Sequence, residues 1–376
     1  NHTTLAHHAA VLFPDSVLAE FLTRFPQALM TADKQGQLPV HHALFSLNIA
    51  RVHTLLAQNP LQLNHTLDNK TTLLWQAVEL EQTALVKNLI DQGAHLNLVM
   101  PDNTNLLNHT IRKNLPDMAL LLLNAGIDVH TMNFNHQTAL HDALTYHMSD
   151  VALALIARDA PLSVARKTDG YHAIHLAVRH NLLEVIKALA ARIDINILLD
   201  DNSSLLHIAA FHQPSLVPFL SSLVEPNWQN DVGETALMVA VKAHHRKAAK
   251  VLAKFASIND QSRDKRYLIA LCYRYNMPAI SARLFDSVSH LSNTHLREQY
   301  DEPIKAYFYQ VIQHGNLTLA TSLLDRLPYL LKTRYDDQTI AEVAANALHF
   351  ELYYMFKKRA EKAQLEFASQ SGKILT

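Results

Sequence analysis

Short apolar clusters alternate along the chain with polar stretches at a spacing that barely changes. Asn135–Leu144, NHQTALHDAL, is one such cluster with its polar lead, and altered copies recur through the first two thirds of the sequence. With Thr138 as the marker, equivalents stand at Thr4, Leu38, Thr72, Asn105, His172, Ser204 and Thr235. The eight positions follow one another at steps of 34, 34, 33, 33, 34, 32 and 31 residues. Five residues after each marker come Ala9, Ala43, Ala77, Thr110, Ala143, Ala177, Ala209 and Ala240, small side chains of the kind required where helices approach closely. After the first five markers a second apolar pair recurs at the same steps: Phe21-Leu22, Leu55-Leu56, Leu89-Ile90, Leu122-Leu123 and Leu155-Ile156. Each module is therefore expected to hold two short helices.

The residues between these clusters say where the helices begin and end. Thr or Ser at the marker suits an N-cap, because its hydroxyl can accept from backbone N–H groups of the first turn. Nine residues later the chain must turn back through a left-handed residue, and Asn114, Asn181 and Gly315 are types that tolerate one. Gly93 and Gly126 are expected to end second helices for the same reason. Asn64, Asn97, Asn196, Asn227 and Asn259 stand eight residues before a marker and open polar segments with turn residues, such as Asp33 to Gly36, Asp169-Gly170 and Asp231 to Gly233. These read as hairpin-like turns between modules.

Turn, helix, turn, helix at this period resembles the ankyrin repeat, whose pattern is D-x-x-G-x-T-P-L-H-x-A followed by a glycine and a leucine pair. The match is carried by LPVHHA (38–43), TALHDA (138–143), HAIHLA (172–177), SLLHIA (204–209) and TALMVA (235–240). Tetratricopeptide repeats have a similar length, but their W-x-x-L-G-x-x-Y signature is absent. The resemblance implies an all-α ankyrin-repeat solenoid of helix-turn-helix units joined by hairpin-like turns. Residues 1–260 would hold about eight units and residues 261–376 degenerate ones. The family proline survives only at Pro39. The degenerate units are anchored by Tyr267 with Cys272, Ala306 with Val311 and Gly315, and Thr339 with Ala344, with an insertion at 286–303. Phe356 to Phe367 is expected to be a helix capping the stack.

Composition narrows the function classes. No apolar run approaches the ~18 residues needed to cross a bilayer, and a soluble chain is expected. Lys plus Arg number 33 against 34 Asp plus Glu, a net charge of -1, so no global attraction to nucleic acid or anionic membrane is expected. One cysteine, Cys272, excludes an internal disulfide framework and fits a reducing compartment, whether a cell's own cytoplasm or a host cytosol reached by secretion. The chain opens at Asn1 inside a repeat, which implies sequence upstream.

The 24 histidines invite a search for metal or acid-base chemistry. The pairs His7-His8, His41-His42 and His244-His245 point in different directions on a helix and cannot easily share an ion. His7, His41, His141, His175 and His207, three residues after their markers, recur one per module, too far apart for common zinc ligation. The resemblance implies a hydrogen-bonding role within and between modules for them. No H-E-x-x-H, P-loop, G-x-G-x-x-G or G-x-S-x-G motif occurs, and Cys272 falls at the small-residue packing position. No catalytic, cofactor or metal site is expected. His295, Asp301 and Glu302 in the insertion are the acid-base candidates should the chain be the targeting arm of an enzyme, an alternative the sequence leaves open.

What remains is surface. The family binds other proteins in a concave groove lined by turn tips and exposed positions of first helices. Here the tips carry Val99, Met132, Phe134, Leu198 and Tyr335, while Trp228 falls where the family has a small packed residue. Seven to nine residues after the markers stand Arg112, Lys113, Tyr146, His147, Arg179, His180, His212, Lys242 and His244, a basic, histidine-rich strip suited to an acidic or phosphorylated protein segment. The expected function is a monomeric protein-binding scaffold without membrane insertion, with nucleic acid disfavoured. Its scarce glycine and divergent repeats resemble ankyrin proteins of intracellular bacteria, several of which act as effectors inside host cells.

Overall fold

The computed structural model describes residues 3–255, 272, 275, 277, 280 and 305–371. Tyr267, Asn259, the expected 260/261 boundary and the insertion 286–303 lie outside the described residues. The chain divides into two compact units, Asn1–Asp194 and Ile195–Thr376. The fold class is all-α, a repeat solenoid.

In the first unit the first helices are Leu5–Leu12, Pro39–Phe45, Leu73–Glu79, Leu106–Arg112, Ala139–Thr145 and Ala173–Arg179. Their N-caps are the six markers Thr4, Leu38, Thr72, Asn105, Thr138 and His172, each in extended backbone. Thr138 Oγ1 accepts from His141 N at 3.4 Å, and Asn105 Oδ1 from Leu107 N and Asn108 N at 3.1 and 3.2 Å. Second helices run Asp15–Arg24, Ile49–Gln58, Thr83–Asp91, Pro116–Asn124, Ser149–Ala157 and Leu183–Ala190. First helices pack on first helices, and second on second, as with Leu106–Arg112, Ala139–Thr145 and Ala173–Arg179 in succession. The five alanines and Thr110 at the fifth position are wholly buried in these contacts, so there is no room for a longer side chain.

The turn between the two helices explains itself residue by residue. Leu47, Glu81, Asn114, His147 and Asn181 all adopt positive φ nine residues after their markers. Only the asparagines were readable as left-handed in advance. Phe13 departs, with φ -71, because Pro14 follows and restricts it to extended backbone. The first helix there is correspondingly one residue longer than its neighbours.

Asparagines stitch the turns to one another. Asn64 Oδ1 accepts from His95 N at 2.7 Å and Asn97 Oδ1 from Asp128 N at 2.8 Å, in each case reaching the next repeat. Isolated antiparallel bridges pair Val99 with Asn105, Met132 with Thr138 and Ala165 with His172, making the hairpin-like tips. Asn103 Nδ2 donates to Met132 O at 2.6 Å and Lys167 N to Asn135 O at 2.9 Å, so adjacent tips are tied together.

The second unit repeats the scheme with Leu205–His212 and Ala236–Lys242, N-capped by Ser204 and Thr235. Pro214 lengthens the first of these as Pro14 does in the other unit. Asn227 Nδ2 donates to Phe255 O at 2.8 Å. Cys272 is wholly buried and burial pushes its thiol up to about 12. Further on, residues 305–313 are helical, so Lys305 and Ala306 already lie within the helix. Ala306 is therefore not the cap its register suggested, although Val311 is buried and Gly315 takes φ +70 as expected. Helix Leu317–Arg326, the 3-10 turn Pro328–Lys332 and the hairpin strands Arg334–Tyr335 and Gln338–Thr339 lead to Ile340–Asn346, capped by Thr339. The last helix, Phe350–Ser371, contains the tail segment and packs on Ile340–Asn346, burying Leu352 and Phe356.

Candidate partner-binding surface

The repeated histidines are caps. The N-cap backbone N–H donates to the histidine Nδ1 in Thr4/His7 at 3.1 Å, Leu38/His41 at 3.0 Å, Thr138/His141 at 3.2 Å, His172/His175 at 3.1 Å and Ser204/His207 at 3.2 Å. Accepting at Nδ1 leaves the ring proton on Nε2, which reaches the next turn: His7 Nε2 donates to Gln37 O at 2.9 Å and His207 Nε2 to Glu234 O at 2.8 Å. These two rings thus tie their own helix start to the following repeat, whereas Nε2 of His41 and of His141 is buried without a hydrogen-bond partner. Asn108 does the first job with its amide oxygen, and Glu342 with its carboxylate, 2.7 Å from Thr339 N. Burial disfavours the charged ring, pushing His7 and His207 down and His41 and His141 to about 4.

One histidine cluster resembles a metal set. His7, Asp33 and His42 bring ligand atoms within 4.8 Å of one another, with His42 Nε2 at 3.1 Å from Asp33 Oδ2. The capping tautomer argues against ligation, since His7 Nε2 carries a proton and has no lone pair to offer. Asp33 Oδ1 accepts from Gln35 N and Gln37 N at 2.8 and 2.9 Å, which holds the turn.

The basic strip is less positive than its residue types suggest. Arg112 Nε lies 3.1 Å from Oδ2 of the buried Asp142, which also accepts from Asn108 Nδ2 at 3.1 Å and Gln137 Nε2 at 2.5 Å. Burial pushes the Asp142 carboxyl up while the Arg112 charge and the two amides pull it down. Lys113 pairs with Glu79, and Lys242 with Glu234. Partial burial raises the Glu79 carboxyl, but the Lys113 hydrogen bond and the His109 charge outweigh it and hold it below its usual value. Arg179 lies 5.7 Å from the Tyr171 ring centroid, which Arg166 also approaches at 6.0 Å. His180 meets His147 edge-on at 4.5 Å, His212 meets Phe211 at 4.8 Å and His244 meets Tyr275 at 5.1 Å. Of the strip, Arg112, Lys113, Tyr146, Arg179 and His180 belong to the first unit, and His212 and Lys242 to the second.

Exposed apolar side chains stand beside these. Phe134 is 69% exposed at its tip, and Val99, Met132 and Tyr146 are also exposed. Leu198 is half-buried. Tyr335 is half-buried too, its hydroxyl donating to Lys305 O. Trp228 is exposed rather than packed away, with Nε1 donating to Asn202 O at 2.9 Å. Phe45 and Phe211, both seven positions after a marker, are exposed in the strip register as well, which an apolar residue on a helix does not reveal by its type.

A three-copy ankyrin-repeat family model matches residues 74–164 and 107–201. Residues 74–201 thus match the ankyrin-repeat family. The chain is 25% identical over 222 residues to the B-cell lymphoma 3 protein homolog of Mus musculus, a match covering 55% of this chain and 49% of that protein. It thus spans about half the length of that relative. A chain of the complex between the predatory endopeptidase Bd0816 from Bdellovibrio bacteriovorus and the immunity protein Bd3460 aligns with a TM-score of 0.44 at 26% identity, covering 49% of this chain and 98% of that one. Ankyrin repeats carry a protein–protein interaction role and are in general non-enzymatic modules. Among the described residues no helix is long and apolar enough to cross a membrane. His295, Asp301 and Glu302 lie outside the described residues.

Proposed function

We propose that the chain is a non-enzymatic scaffold whose first unit docks a protein partner on its tips and first-helix ends. Met132, Phe134, Tyr146, Arg179 and His180 make the contact, with Arg112 and Lys113 at its margin. His212 and Lys242 serve the corresponding face of the second unit. The observation that carries this reading is Phe134, a large apolar ring 69% exposed on a tip tied by hydrogen bonds to its neighbours. A rigid aromatic anchor loses little entropy on docking. The partner is an acidic or phosphorylated segment, attracted by Arg179 and the His147-His180 pair.

The test is a photo-crosslinking residue at position 134, compared with one at Leu61, which is exposed in the 3-10 turn Pro60–Gln62. A partner captured from 134 and not from 61, and lost in Arg179→Glu at unchanged helicity, supports the assignment; equal capture from both ends it. Arg112→Glu is a poor probe, because it would leave Asp142 buried without its cation. We further propose that the protein is a monomeric effector delivered to a host cytosol, on the strength of its resemblance to ankyrin proteins of intracellular bacteria. Fractionation that finds it retained in the producing cell under every condition would remove that setting.

A further inference from the structure

Tips and first helices of the second and third repeats enclose a cleft of about 670 Å³, within the ~300–1,000 Å³ typical of ligand sites. Gln76, in helix Leu73–Glu79, lines it and is only 7% exposed, yet its Oε1 is buried without a hydrogen-bond partner among the described residues. Neighbouring repeats treat the same register differently. Four residues after their markers, His42 meets Asp33 at 3.1 Å, His109 meets Glu79 at 2.5 Å, and Asp142 takes Arg112, Asn108 and Gln137. A buried carboxamide left unpaired costs free energy, so a group from outside the fold is expected to meet it. Beside Gln76 the cleft is aromatic and nearly neutral. Trp75 is buried in its wall, with its ring 5.0 Å from that of His109, and Phe45 stands 48% exposed at its edge. Lys34 and Asp68 contribute one charge of each sign, and Glu79 already holds Lys113 and His109. The remaining polar lining, Gln35, Gln37, Asn69 and Thr71, is uncharged.

We propose that this cleft docks an uncharged, extended stretch of a partner protein, with the Gln76 carboxamide paired to the N–H and C=O of one main-chain residue and an apolar side chain laid against Phe45 and Trp75. A carboxamide carries an acceptor oxygen beside N–H donors. In extended backbone the N–H and C=O of one residue point to the same side, as in the hydrogen-bonded pairs of an antiparallel ladder, and so match it. A charged side chain fits less well at this point. An acidic or phosphorylated one meets Asp68 and Glu79, and a basic one meets Lys34. This site rests on the reading that the first unit docks a protein segment, and it takes the uncharged part of that segment, while Phe134 and Arg179 hold the charged part in later repeats.

Trp75 reports on its own cleft. The chain has two tryptophans, and Trp228→Phe leaves Trp75 as the sole one. Short labelled degenerate peptide pools of uncharged, acidic or phosphorylated composition are titrated into the full chain with that substitution, and anisotropy on the unsubstituted chain gives the same affinities independently. The uncharged pool should shift Trp75 emission and bind at least ~10-fold more tightly than the other two, with little response to NaCl. Methylating the main-chain nitrogens of that pool should cost at least ~10-fold, because it removes the N–H that Gln76 accepts. Gln76→Met keeps the volume and loses the carboxamide. It should weaken binding to a similar extent while leaving the midpoint of urea unfolding unchanged or higher, since no group of the fold loses a partner. A lower midpoint, or failure to fold, would assign the amide to the fold itself and overturn the proposal. So would equal affinities for the three pools, an N-methylated pool that binds as well, a folded Gln76→Met variant that binds as before, or a single-stranded oligonucleotide that binds more tightly. Arg179→Glu should leave the affinity for the uncharged pool unchanged, which keeps failure here separate from failure of the docking surface around Phe134.

Discussion

The helix caps of the first unit and of the last repeat do the same work with different chemistry. At His41 and His141 a neutral, buried imidazole accepts the N-cap N–H. At Glu342 an exposed carboxylate does so, its ionised form favoured by the hydrogen bonds from Thr339 N and Oγ1. The geometry a helix start demands is one acceptor three residues on, and imidazole, amide and carboxylate all meet it. What differs is the response to acid and the legibility of the pattern, because a histidine repeated at a fixed step is visible whereas an isolated glutamate is not.

The largest effect that would distinguish the units comes from their close-packed small residues. Ala177→Asp places a charge where a fully buried methyl group packs between first helices of the first unit. Both overpacking and desolvation count against it, and a loss of about 4 kcal/mol or more is expected. In a stack stabilised by neighbours the damage should spread through the first unit. Hydrogen exchange should show its helices losing protection while Ile340–Asn346 keeps its own. Uniform protection in the variant would mean that the alanine positions do not carry the stack.

Acid should separate the units next. Burial depresses the imidazoles of His41 and His141 to about 4 from the ordinary 6.5. Below pH 6.5 the unfolded chain takes up protons that these folded rings refuse, so their contribution is whole above about 6.5 and drains away as pH falls towards 4. At ~1.4 kcal/mol per unit, each ring accounts for up to about 3 kcal/mol. The Glu342 cap, with a lowered carboxyl, should hold until the pH falls below its ordinary 4.5. Urea unfolding between pH 7 and pH 4 should therefore show the repeats capped by His41 and His141 weakening before the last repeat, capped by Glu342. His141→Asn, which copies Asn108, should flatten that slope; an unchanged slope would assign the acid sensitivity elsewhere.

These contrasts also mark how far the sequence carried. The eight markers Thr4 to Thr235 are all N-caps, and Gly315 turns where its register says, because caps and left-handed turns are set by local backbone chemistry that residue type reveals. Arg112 was read as a free groove cation because its partner Asp142 lies 30 residues away, and nothing local betrays a pairing across repeats. Phe45 and Phe211 were passed over for a related reason, since an apolar residue on a helix looks like core until the face it occupies is known. The cleft at Gln76 takes Phe45 from one repeat and Trp75 from the next, so neither stretch reveals it alone.

The smallest expected effect bears on the turn shared by both units. Leu47 in the first and Leu348 in the second adopt φ of 58 and 60, where a branched side chain is strained, and both are exposed. Their neighbours at the same register, Asn114 and Asn181, show the residue type that this backbone prefers. Leu47→Asn should therefore raise stability by a few tenths to about 1 kcal/mol, since the left-handed conformation costs an ordinary L residue about 1–2 kcal/mol and asparagine less. Asparagine is the better substitute than glycine here, because glycine would also loosen the unfolded chain and cancel part of the gain. The midpoint of urea unfolding, at unchanged slope, measures it. A drop in the midpoint would show that the exposed leucine makes contacts worth more than the strain it bears, and the same substitution at Leu348 would then tell whether that holds in both units or only in the first.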